Sequence, residues 1–464
     1  MQPHNGPLAT ERSASDRSRT LAQLARDLAQ GRTTSRALVE DCLARIAEPH
    51  GEGGRTFLKV HEQTARAAAD FHDRMRQCGA PVGAYAGIPV SVKDLFDVAG
   101  DTTMAGSVIL REDPPARVDC PAVARVRAAG LIVIGRTNMT EFAFSGLGLN
   151  PHYGTPLSPW DRERRHIPGG SSSGAGVSIS DGMAFGALGT DTGGSCRIPA
   201  AFCGVVGFKP TAARIPKTGV YPLSASLDSI GPLANSVGCC AALDAILADD
   251  AAATLVAQPG FLGSLRLAAL TSYVVDGMDS VVAQAYRRTL SRISVAGATI
   301  TDIVLPELEE LREINKKGGI VTAEAYAVHR AQLAEHGSRY DPRVAQRIQR
   351  AREQDAADYI ELHQLRASFI ERVSRRISDF DAILMPTVPI VAPTFEELEP
   401  DDVYIRTNAL VLRNSSLVNF LDGCAVSIPC HDPGAAPVGL TVFGLNGADQ
   451  RVLRVADALE RCLA

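Results

Sequence analysis

Glycine and serine are concentrated in two short segments of this chain, and this concentration limits how the middle of the chain can fold. The segments read PGGSSSGAG (residues 168–176) and GTDTGGSCRIPA (189–200), and nine of the 41 glycines fall within residues 169–194. Glycine permits backbone conformations and close approaches that a side chain forbids. The intervening residues 177–188 are small and apolar, as expected of a buried helix and strand. The pattern therefore predicts two tight loops separated by buried structure.

Three ordinary explanations of such segments fit less well. A flexible linker would not enclose the apolar residues 177–188. A phosphate-binding loop would require G-x-x-x-x-G-K-[ST] or G-x-G-x-x-G, and neither occurs here. Residues 170–174 match the nucleophile elbow G-x-S-x-G of α/β-hydrolase esterases, but that motif directly follows a β-strand. Residues 161–166 (DRERRH) are strongly charged instead, so the elbow is the weaker hypothesis.

Hydrolysis would require a nucleophile, a base and hydrogen-bond donors for a developing oxyanion. The segment TGGS (192–195) offers successive backbone N–H groups beside Ser195. Lys93 is a candidate base because it follows an apolar strand pattern, and burial lowers the pKa of a lysine until a neutral amine is available. The alternative, in which Lys93 reaches solvent or pairs with Asp94 or Asp97, remains open on these residues alone.

Short β-branched runs alternate with helical patterns along the chain. A helix at residues 121–129, a glycine and a strand at residues 131–134 form a unit typical of α/β proteins. The sequence predicts an α/β fold in which a single large domain, residues 21–464, has a central mixed many-stranded β-sheet flanked by helices. Residues 1–20 are expected to be a disordered lead-in, and the charged residues 310–380 a helical insertion.

The composition excludes several classes of protein. The 464 residues carry 47 Lys and Arg against 52 Asp and Glu, a net charge of −5, without a basic block that would bind nucleic acid or an anionic membrane. No apolar run approaches the ~18 residues of a transmembrane helix. Ten cysteines without a Cys-x-x-Cys pair indicate a reduced, cytoplasmic protein. No metal-ligand spacing occurs, and no cofactor is predicted.

The glycine-rich segments belong to a longer ordered set of motifs within residues 85–232. The set comprises GIPVSVKD (87–94), TTMAGS (102–107), GRTNMTEF (135–142), GGSSSG (169–174), GTDTGGSCRIPA (189–200), GFKPT (207–211) and PLSASLD (222–228). In this order and density, the chain resembles the amidase signature family. The likeness covers residues 20–250 and returns at residues 419–443. It implies the single-domain fold of that family.

The resemblance also implies a Ser–cis-Ser–Lys triad. Ser195 matches the nucleophile that becomes acylated, and Lys93 matches the final base. Ser171, which lies 24 residues before Ser195, matches the bridging serine. Neutral Lys93 would accept a proton that Ser171 relays from Ser195, and Ser171 would return a proton to the leaving amine. The peptide bond between Gly170 and Ser171 is expected to be cis.

Further residues receive supporting roles from the same resemblance. The oxyanion hole is expected to use four consecutive backbone amides, those of Thr192, Gly193, Gly194 and Ser195. Four side chains are expected to support the two loops from behind, those of Ser172, Ser173, Asp191 and Arg197. Phe144 matches a region that lines the acyl pocket in relatives, and Met104 is expected to approach that region, although either residue could equally belong to the core.

The resemblance implies a serine hydrolase that cleaves carboxamide C–N bonds. Its substrate would be a small-molecule amide, aryl amide, anilide or carbamate, and it would act as a monomer or homodimer without nucleic acid or membrane. An alternative is the A-type subunit of a tRNA-dependent glutamine amidotransferase, which works only within an assembly. Against that alternative, Leu412 stands where glutamine-using relatives carry an aspartate for the substrate's amino group.

Overall fold

A single mixed β-sheet is the centre of the fold. A computed structural model describes residues 19–250 and 262–464 of the chain. Its strands are β1 (Phe57–Val60), β2 (Pro89–Lys93), β3 (Ile132–Thr137), β4 (Gly186–Asp191), β5 (Val206–Lys209), β6 (Ser229–Ala234), β7 (Arg266–Leu270), β8 (Thr299–Ile303), β9 (Ala382–Pro386), β10 (Cys424–Pro429) and β11 (Gly439–Gly444). They lie in the order β1-β3-β2-β4-β6-β5-β10-β11-β9-β7-β8. Parallel and antiparallel neighbours both occur, so the predicted mixed, many-stranded sheet is confirmed.

Both faces of this sheet are covered by apolar side chains. Along β9, Ala382 and Leu384 belong to one buried apolar cluster, whereas Ile383 belongs to another. The same alternation in β11 assigns Val442 to the first cluster and Phe443 to the second. Successive side chains of a strand point to opposite faces of a sheet. The sheet therefore has an apolar core on each side.

Helices complete both cores. They are α1 (Leu21–Ala29), α2 (Ser35–Ile46), α3 (Gly53–Thr56), α4 (Glu62–Gln77), α5 (Pro121–Ala128), α6 (Ser173–Ser180), α7 (Arg197–Cys203), α8 (Val237–Ala248), α9 (Ser280–Val295), α10 (Glu310–Ile314), α11 (Gly319–His336), α12 (Pro342–Gln349), α13 (Ala356–Ile377), α14 (Asp401–Phe420) and α15 (Asp449–Leu463). Leu24 and Val452 join the first apolar cluster, and Phe369 and Leu417 join the second. No helix among the described residues has the length and apolarity needed to cross a membrane.

The first helix begins inside the predicted lead-in. Thr20 is the N-cap of α1, because the Gln23 backbone N–H donates to Thr20 Oγ1 at 3.2 Å and the Thr20 N–H donates to Gln23 Oε1 at 2.8 Å. This reciprocal pair is a capping box. Thr20 thus belongs to the fold, and the remainder of the predicted lead-in, residues 1–18, lies outside the described residues.

The predicted helical insertion at residues 310–380 coincides with α10 to α13, which lie between β8 and β9. Exterior ion pairs join its helices, for example Arg372 with Glu310 at 2.6 Å and Lys317 with Asp358 at 2.8 Å. Its inner face contributes Ile320 to the second apolar cluster. The segment also contributes Leu333 and Val344 to the first cluster, so this charge-rich sequence packs against both apolar cores.

The sequence patterns do not predict two of the strands, β1 and β6. β6 contains Gly231 and Pro232, which disfavour a strand assignment. Glycine is required at position 231 because a Cβ atom there would lie 2.1 Å from the carbonyl oxygen of Phe208 in the neighbouring strand β5. The charged segment before the first glycine-rich loop is not a strand, because Arg162–Arg164 forms a 3₁₀ turn. The strand that a nucleophile elbow requires is thus replaced by a turn.

Candidate active site

Two parallel strands end side by side, and their last residues begin the site. β2 ends at Lys93 and β4 ends at Asp191, and Val92 of β2 lies opposite Leu188 of β4. Neighbouring parallel strands present their carboxyl ends at the same edge of a sheet. The two glycine-rich loops meet at this edge, because the Ser172 N–H donates to the carbonyl oxygen of Ser195 at 3.3 Å.

Lys93 lies at the centre of the site and is fully buried. Its Nζ lies 2.8 Å from Ser171 Oγ and 2.9 Å from Thr190 Oγ1. Burial lowers the pKa of Lys93 to about 8, although Asp191 is among the nearby groups that raise it. A considerable fraction of the amine is therefore neutral near physiological pH.

The carboxylates next to Lys93 in sequence have other partners. Asp94 Oδ1 accepts a hydrogen bond from Arg136 Nε at 2.8 Å. Asp97 Oδ1 accepts one from the hydroxyl of Thr103 at 2.7 Å. The alternative in which Lys93 reaches solvent or pairs with Asp94 or Asp97 is therefore wrong.

Ser171 joins the first glycine-rich loop to Lys93. The Gly170–Ser171 peptide bond is cis, as predicted. The side chain of Ser171 is fully buried, and the carbonyl oxygen of Ser171 accepts the Thr140 N–H at 3.1 Å. A Cβ atom at Gly170 would lie 2.6 Å from the backbone nitrogen of Gly148, which explains why no side chain fits at that position.

Ser195 lies where the second loop opens on a cavity of about 540 Å³. Its Oγ makes no hydrogen bond to any group in residues 19–250 or 262–464. The backbone N–H groups of Thr192, Gly193 and Ser195 likewise donate to no acceptor in that part of the chain. A hydroxyl and three donors thus remain available beside the cavity.

The amide of Gly194 differs from its neighbours. Its N–H donates to Asp191 Oδ1 at 2.8 Å, so it is not available to an oxyanion, and the expectation of a fourth donor is wrong for this amide. Gly194 has a φ of +131°, and a Cβ atom there would lie 2.1 Å from Ser415 Oγ. Only glycine accommodates both this conformation and this contact. The loop is therefore bent so that the other three N–H groups stay unpaired.

Asp191 and Arg197 form a fully buried ion pair beneath this loop. Arg197 Nη2 lies 2.9 Å from Asp191 Oδ1, and Arg197 Nε lies 3.0 Å from Asp191 Oδ2. Although burial opposes ionisation, the charge and hydrogen bonds of Arg197 hold the pKa of Asp191 well below its ordinary value. The carboxylate is therefore permanently charged and fixes both Gly194 and the start of α7.

Several residues of the site lie outside the sequence predictions. Asn419 Nδ2 donates to Asp191 Oδ1 at 2.9 Å, and Arg197 Nη2 donates to Asn419 Oδ1 at 2.7 Å. From the same helix, α14, Ser415 Oγ donates to the carbonyl oxygen of Gly193 at 2.6 Å. The one sequence signal was the return of the family likeness at residue 419. The chain separation exceeds 220 residues, so local patterns could not reveal these contacts.

The loop receives further support from its own half of the chain. Thr192 Oγ1 donates to Asp228 Oδ1 at 2.6 Å. Ser172 Oγ donates to the carbonyl oxygen of Thr190 and Ser173 Oγ to that of Asn138, each at 3.4 Å. Both serines are buried, and they support backbone rather than face the cavity. Asp228, the last residue of the motif PLSASLD, thus connects this motif to the second glycine-rich loop through Thr192.

The cavity is shaped by distant parts of the chain. Phe144 lines it, and so do Leu412 and several residues of α10, α11 and α12. Met104 is not among its described lining residues, and the Tyr153 hydroxyl donates to Met104 Sδ at 3.5 Å. Of the two predicted pocket residues, the structure therefore brings Phe144 to the cavity and does not bring Met104 to it. Among the described residues, no group of three or more His, Cys, Asp or Glu could hold a metal ion.

Comparisons with known proteins identify the family of this chain. A family model described as Amidase matches residues 37–453. A 2-amino-5-chloromuconic acid deaminase of Comamonas testosteroni is 34% identical over 446 residues, which are 95% of this chain and 95% of that protein. The A-type subunit of the glutamyl-tRNA(Gln) amidotransferase of Myxococcus xanthus (strain DK1622) is 32% identical over 476 residues, with 95% of this chain and 96% of that protein covered.

Solved structures extend the agreement to the whole fold. A crystal structure of an amidase superposes with a TM-score of 0.85 at 31% identity, and the match covers 96% of this chain and 100% of that chain. The sequence match and the structural match thus each cover at least 95% of this chain. The chain belongs to the amidase family of hydrolases, which act on C–N amide bonds.

Proposed function

We propose that the chain hydrolyses a small-molecule carboxamide, aryl amide, anilide or carbamate through an acyl-enzyme on Ser195, with Ser171 and Lys93 as its proton relay. The observation that carries the proposal is the contact of 2.8 Å between the buried Lys93 Nζ and Ser171 Oγ. A lysine whose pKa lies near 8 can accept a proton, whereas an exposed lysine at its ordinary pKa cannot do so near neutrality.

In the first step, Ser195 Oγ attacks the carbonyl carbon of the amide. Its proton passes to Ser171 Oγ while the Ser171 proton passes to Lys93 Nζ. The negative charge on the carbonyl oxygen is stabilised by the amides of Thr192, Gly193 and Ser195, where one donor is worth roughly 10²–10³ in rate. Asp191 acts as a positioning residue, because it occupies the fourth amide and sets the curvature of the loop.

In the second step, the tetrahedral intermediate collapses and the C–N bond breaks. Ser171 donates a proton to the leaving amine and recovers one from the Lys93 ammonium. Water then attacks the acyl-enzyme, with the same relay as base, and releases the acid. An amine leaves far less readily than an alcohol unless it is protonated, which gives Ser171 a role specific to amides.

The main test uses the purified chain and a panel of primary amides, anilides and aryl carbamates. We expect turnover of at least one class and, on rapid acid quench, a mass increase equal to the acyl group on the peptide that contains Ser195. Turnover without acylation of Ser195 would contradict the mechanism. Hydrolysis by the purified chain would also show that no other protein subunit is required, in accordance with the proposal that the chain acts as a monomer or homodimer in the cytoplasm.

A second candidate is the A-type amidotransferase subunit, and the 32% identity to one such protein across nearly its whole length favours it. The described cavity lining has no acidic side chain and presents Leu412, which leaves a glutamine amino group without a counter-charge. Weak glutamine hydrolysis by the chain alone that rises on addition of partner subunits and tRNA would support this second candidate instead.

Ser171→Ala is expected to lower kcat for an amide about 10²–10⁴-fold and to lower kcat for the matched ester much less. The reason is that ester cleavage does not need protonation of the leaving group to the same degree. The measurement is kcat for an anilide and for the aryl ester of the same acid. Ser180→Ala, which removes a hydroxyl from the far end of α6, is the control and should leave both values unchanged. Equal losses on the two substrates would rule out the proton-carrier role.

A further inference from the structure

Arginines gather around the cavity that contains Ser195. Four of them line it, and they come from three separate parts of the chain: Arg312, Arg347, Arg350 and Arg413. The described lining contains no aspartate or glutamate. None of the four takes part in an ion pair with a described residue, whereas the fully buried Arg136 and Arg197 do. Arg347 and Arg413 are half-buried, and Arg312 and Arg350 are exposed.

Arg347 occupies the wall next to Phe144. Its guanidinium carbon lies 4.5 Å from the centre of the Phe144 ring, and its Nη1 donates to the carbonyl oxygen of Phe144 at 3.1 Å. Burial lowers the pKa of Arg347 to about 10, so the group remains a cation at neutral pH. Its contacts are an aromatic face and a neutral carbonyl, and neither balances its charge.

Arg413 and Arg312 occupy a second part of the wall, around Tyr273. The Arg413 guanidinium carbon lies 5.5 Å from the centre of the Tyr273 ring, and its Nη1 and Nη2 donate to backbone carbonyl oxygens at 2.7 and 2.9 Å. Arg312 makes no hydrogen bond or ring contact with any described residue. Arg312 is exposed, and its guanidinium donors are not used by any described residue.

This clustering of positive charges around one cavity costs electrostatic free energy. Like charges within one concave surface repel each other, and the low-dielectric walls of a cleft strengthen the field that they create. A guanidinium that is not paired with protein carboxylates matches a ligand carboxylate, because its planar donors bind both oxygens at once. An anionic ligand would supply the counter-charge that the wall lacks.

We propose that the substrate is an anionic amide, which carries a carboxylate that the arginine wall of the cavity binds while its amide group lies at Ser195. The proposal rests on the proposed function, since it concerns the same cavity. It narrows the substrate from amides in general to amides of acidic compounds. Arg312 is then a specificity-determining residue, because it is the member of the wall that has no structural contact among the described residues.

The test compares matched pairs of amides that differ only in the remote group. The pairs are succinamate and butyramide, glutaramate and pentanamide, and adipamate and hexanamide. For the best pair, kcat/KM of the anionic member should exceed that of the neutral member at least about tenfold, as expected for one charge-assisted hydrogen bond. Because ions screen exposed charges, the ratio should fall as the salt concentration rises.

Arg312→Gln should lower kcat/KM of the anionic amide about tenfold, mainly through KM, and leave the neutral amide almost unchanged. Arg312→Lys should retain part of the preference, since it keeps the charge. The control is Arg406→Gln on α14, which removes an exposed arginine that pairs with Asp402 outside the cavity. It should change neither substrate. A neutral amide that is hydrolysed as well as its anionic partner, or an equal loss of both in Arg312→Gln, would overturn the proposal.

A binding measurement separates this inference from the proposed function. Succinate, glutarate and adipate are titrated by calorimetry into the Ser195→Ala variant, with the corresponding diamides as neutral references. Preferential binding of a dicarboxylate, weakened by Arg312→Gln, supports the anionic site even if no amide in the panel is hydrolysed. Hydrolysis of neutral amides together with absence of dicarboxylate binding would refute the anionic site and leave the proposed function intact.

Discussion

Ser195→Ala is expected to abolish amide hydrolysis, with a fall in kcat on the order of 10⁶-fold. The substitution removes the atom that forms the acyl-enzyme and leaves the rest of the site in place. Ser195 Oγ makes no hydrogen bond within the described part of the chain, so the fold does not depend on it. The measurement is kcat for the best substrate of the panel, with acylation followed by mass spectrometry.

Two further observations make this result specific to the nucleophile. The thermal unfolding temperature of Ser195→Ala should match that of the wild type, which excludes loss through misfolding. Substrate binding should persist, because the three free amides and the cavity wall are unchanged. A variant that keeps more than about one hundredth of the wild-type kcat would show that another group attacks the amide.

Lys93→Met is expected to lower kcat about 10²–10⁴-fold, the usual contribution of a general base. Methionine fills a similar volume but accepts no proton. Lys93→Arg should be equally inactive, because a guanidinium stays protonated at any working pH. In the wild type, kcat/KM should rise with pH, reach half its maximum near pH 8 and level off at higher pH, since the active form is the neutral amine and its pKa lies at about 8. The pH profile of both variants should lose this step.

The pH dependence of stability provides an independent test of the lowered pKa of Lys93. The pKa of Lys93 is lower in the folded chain than in the unfolded chain, so the unfolded chain binds more protons between about pH 8 and pH 10.5. The free energy of unfolding contributed by Lys93 therefore rises with pH across this window, and the cost of burying its charge is fully present below it. We expect Lys93→Met to unfold at or above the wild-type temperature at pH 7, despite its loss of activity.

The chain contains a matched control for the pH profile of the Lys93 variants. Lys209 is also buried, and burial lowers its pKa to about 8 as well. Its Nζ donates to the carbonyl oxygens of Pro210 and Gly423, at 2.8 and 2.7 Å, and not to a hydroxyl. Lys209→Met should reduce stability by leaving two carbonyl groups unpaired but should keep the alkaline step in kcat/KM. A lost step in this variant would assign the pH dependence to Lys209.

Local sequence offered Ser195 and Lys93 only as candidates, and the family resemblance added Ser171 and the roles of all three. These residues belong to short contiguous motifs: Lys93 ends a five-residue strand, and Ser171 and Ser195 lie in loops whose glycines adopt conformations that other residues rarely adopt. The expectation failed at Gly194, because a sequence does not reveal which N–H of a loop a carboxylate will occupy. The contact to Asp191 Oδ1 is a property of the folded loop.

The walls of the cavity could not be predicted in the same way. Arg312 and Arg347 come from a helical segment whose sequence is charged throughout, so the residues that face inward look like the residues that face solvent. Ser415 and Asn419 reach the loop from α14, more than 220 residues along the chain. Such contacts depend on strand order, and strand order follows from the packing of the whole sheet rather than from any local pattern.

The order of the strands also determines how long some strand edges stay unpaired while the chain is synthesised. β5 is complete at residue 209, but its outer neighbour β10 is complete only at residue 429, 220 residues later. At ~5–20 residues per second, the interval lasts about 11–44 s. During this time β5 and, later, β9 expose unpaired backbone groups that can pair with other chains. We therefore expect the strands on either side of β10 and β11 to join into one sheet only after β10 and β11 are synthesised, and the two edges to need protection from other chains until then.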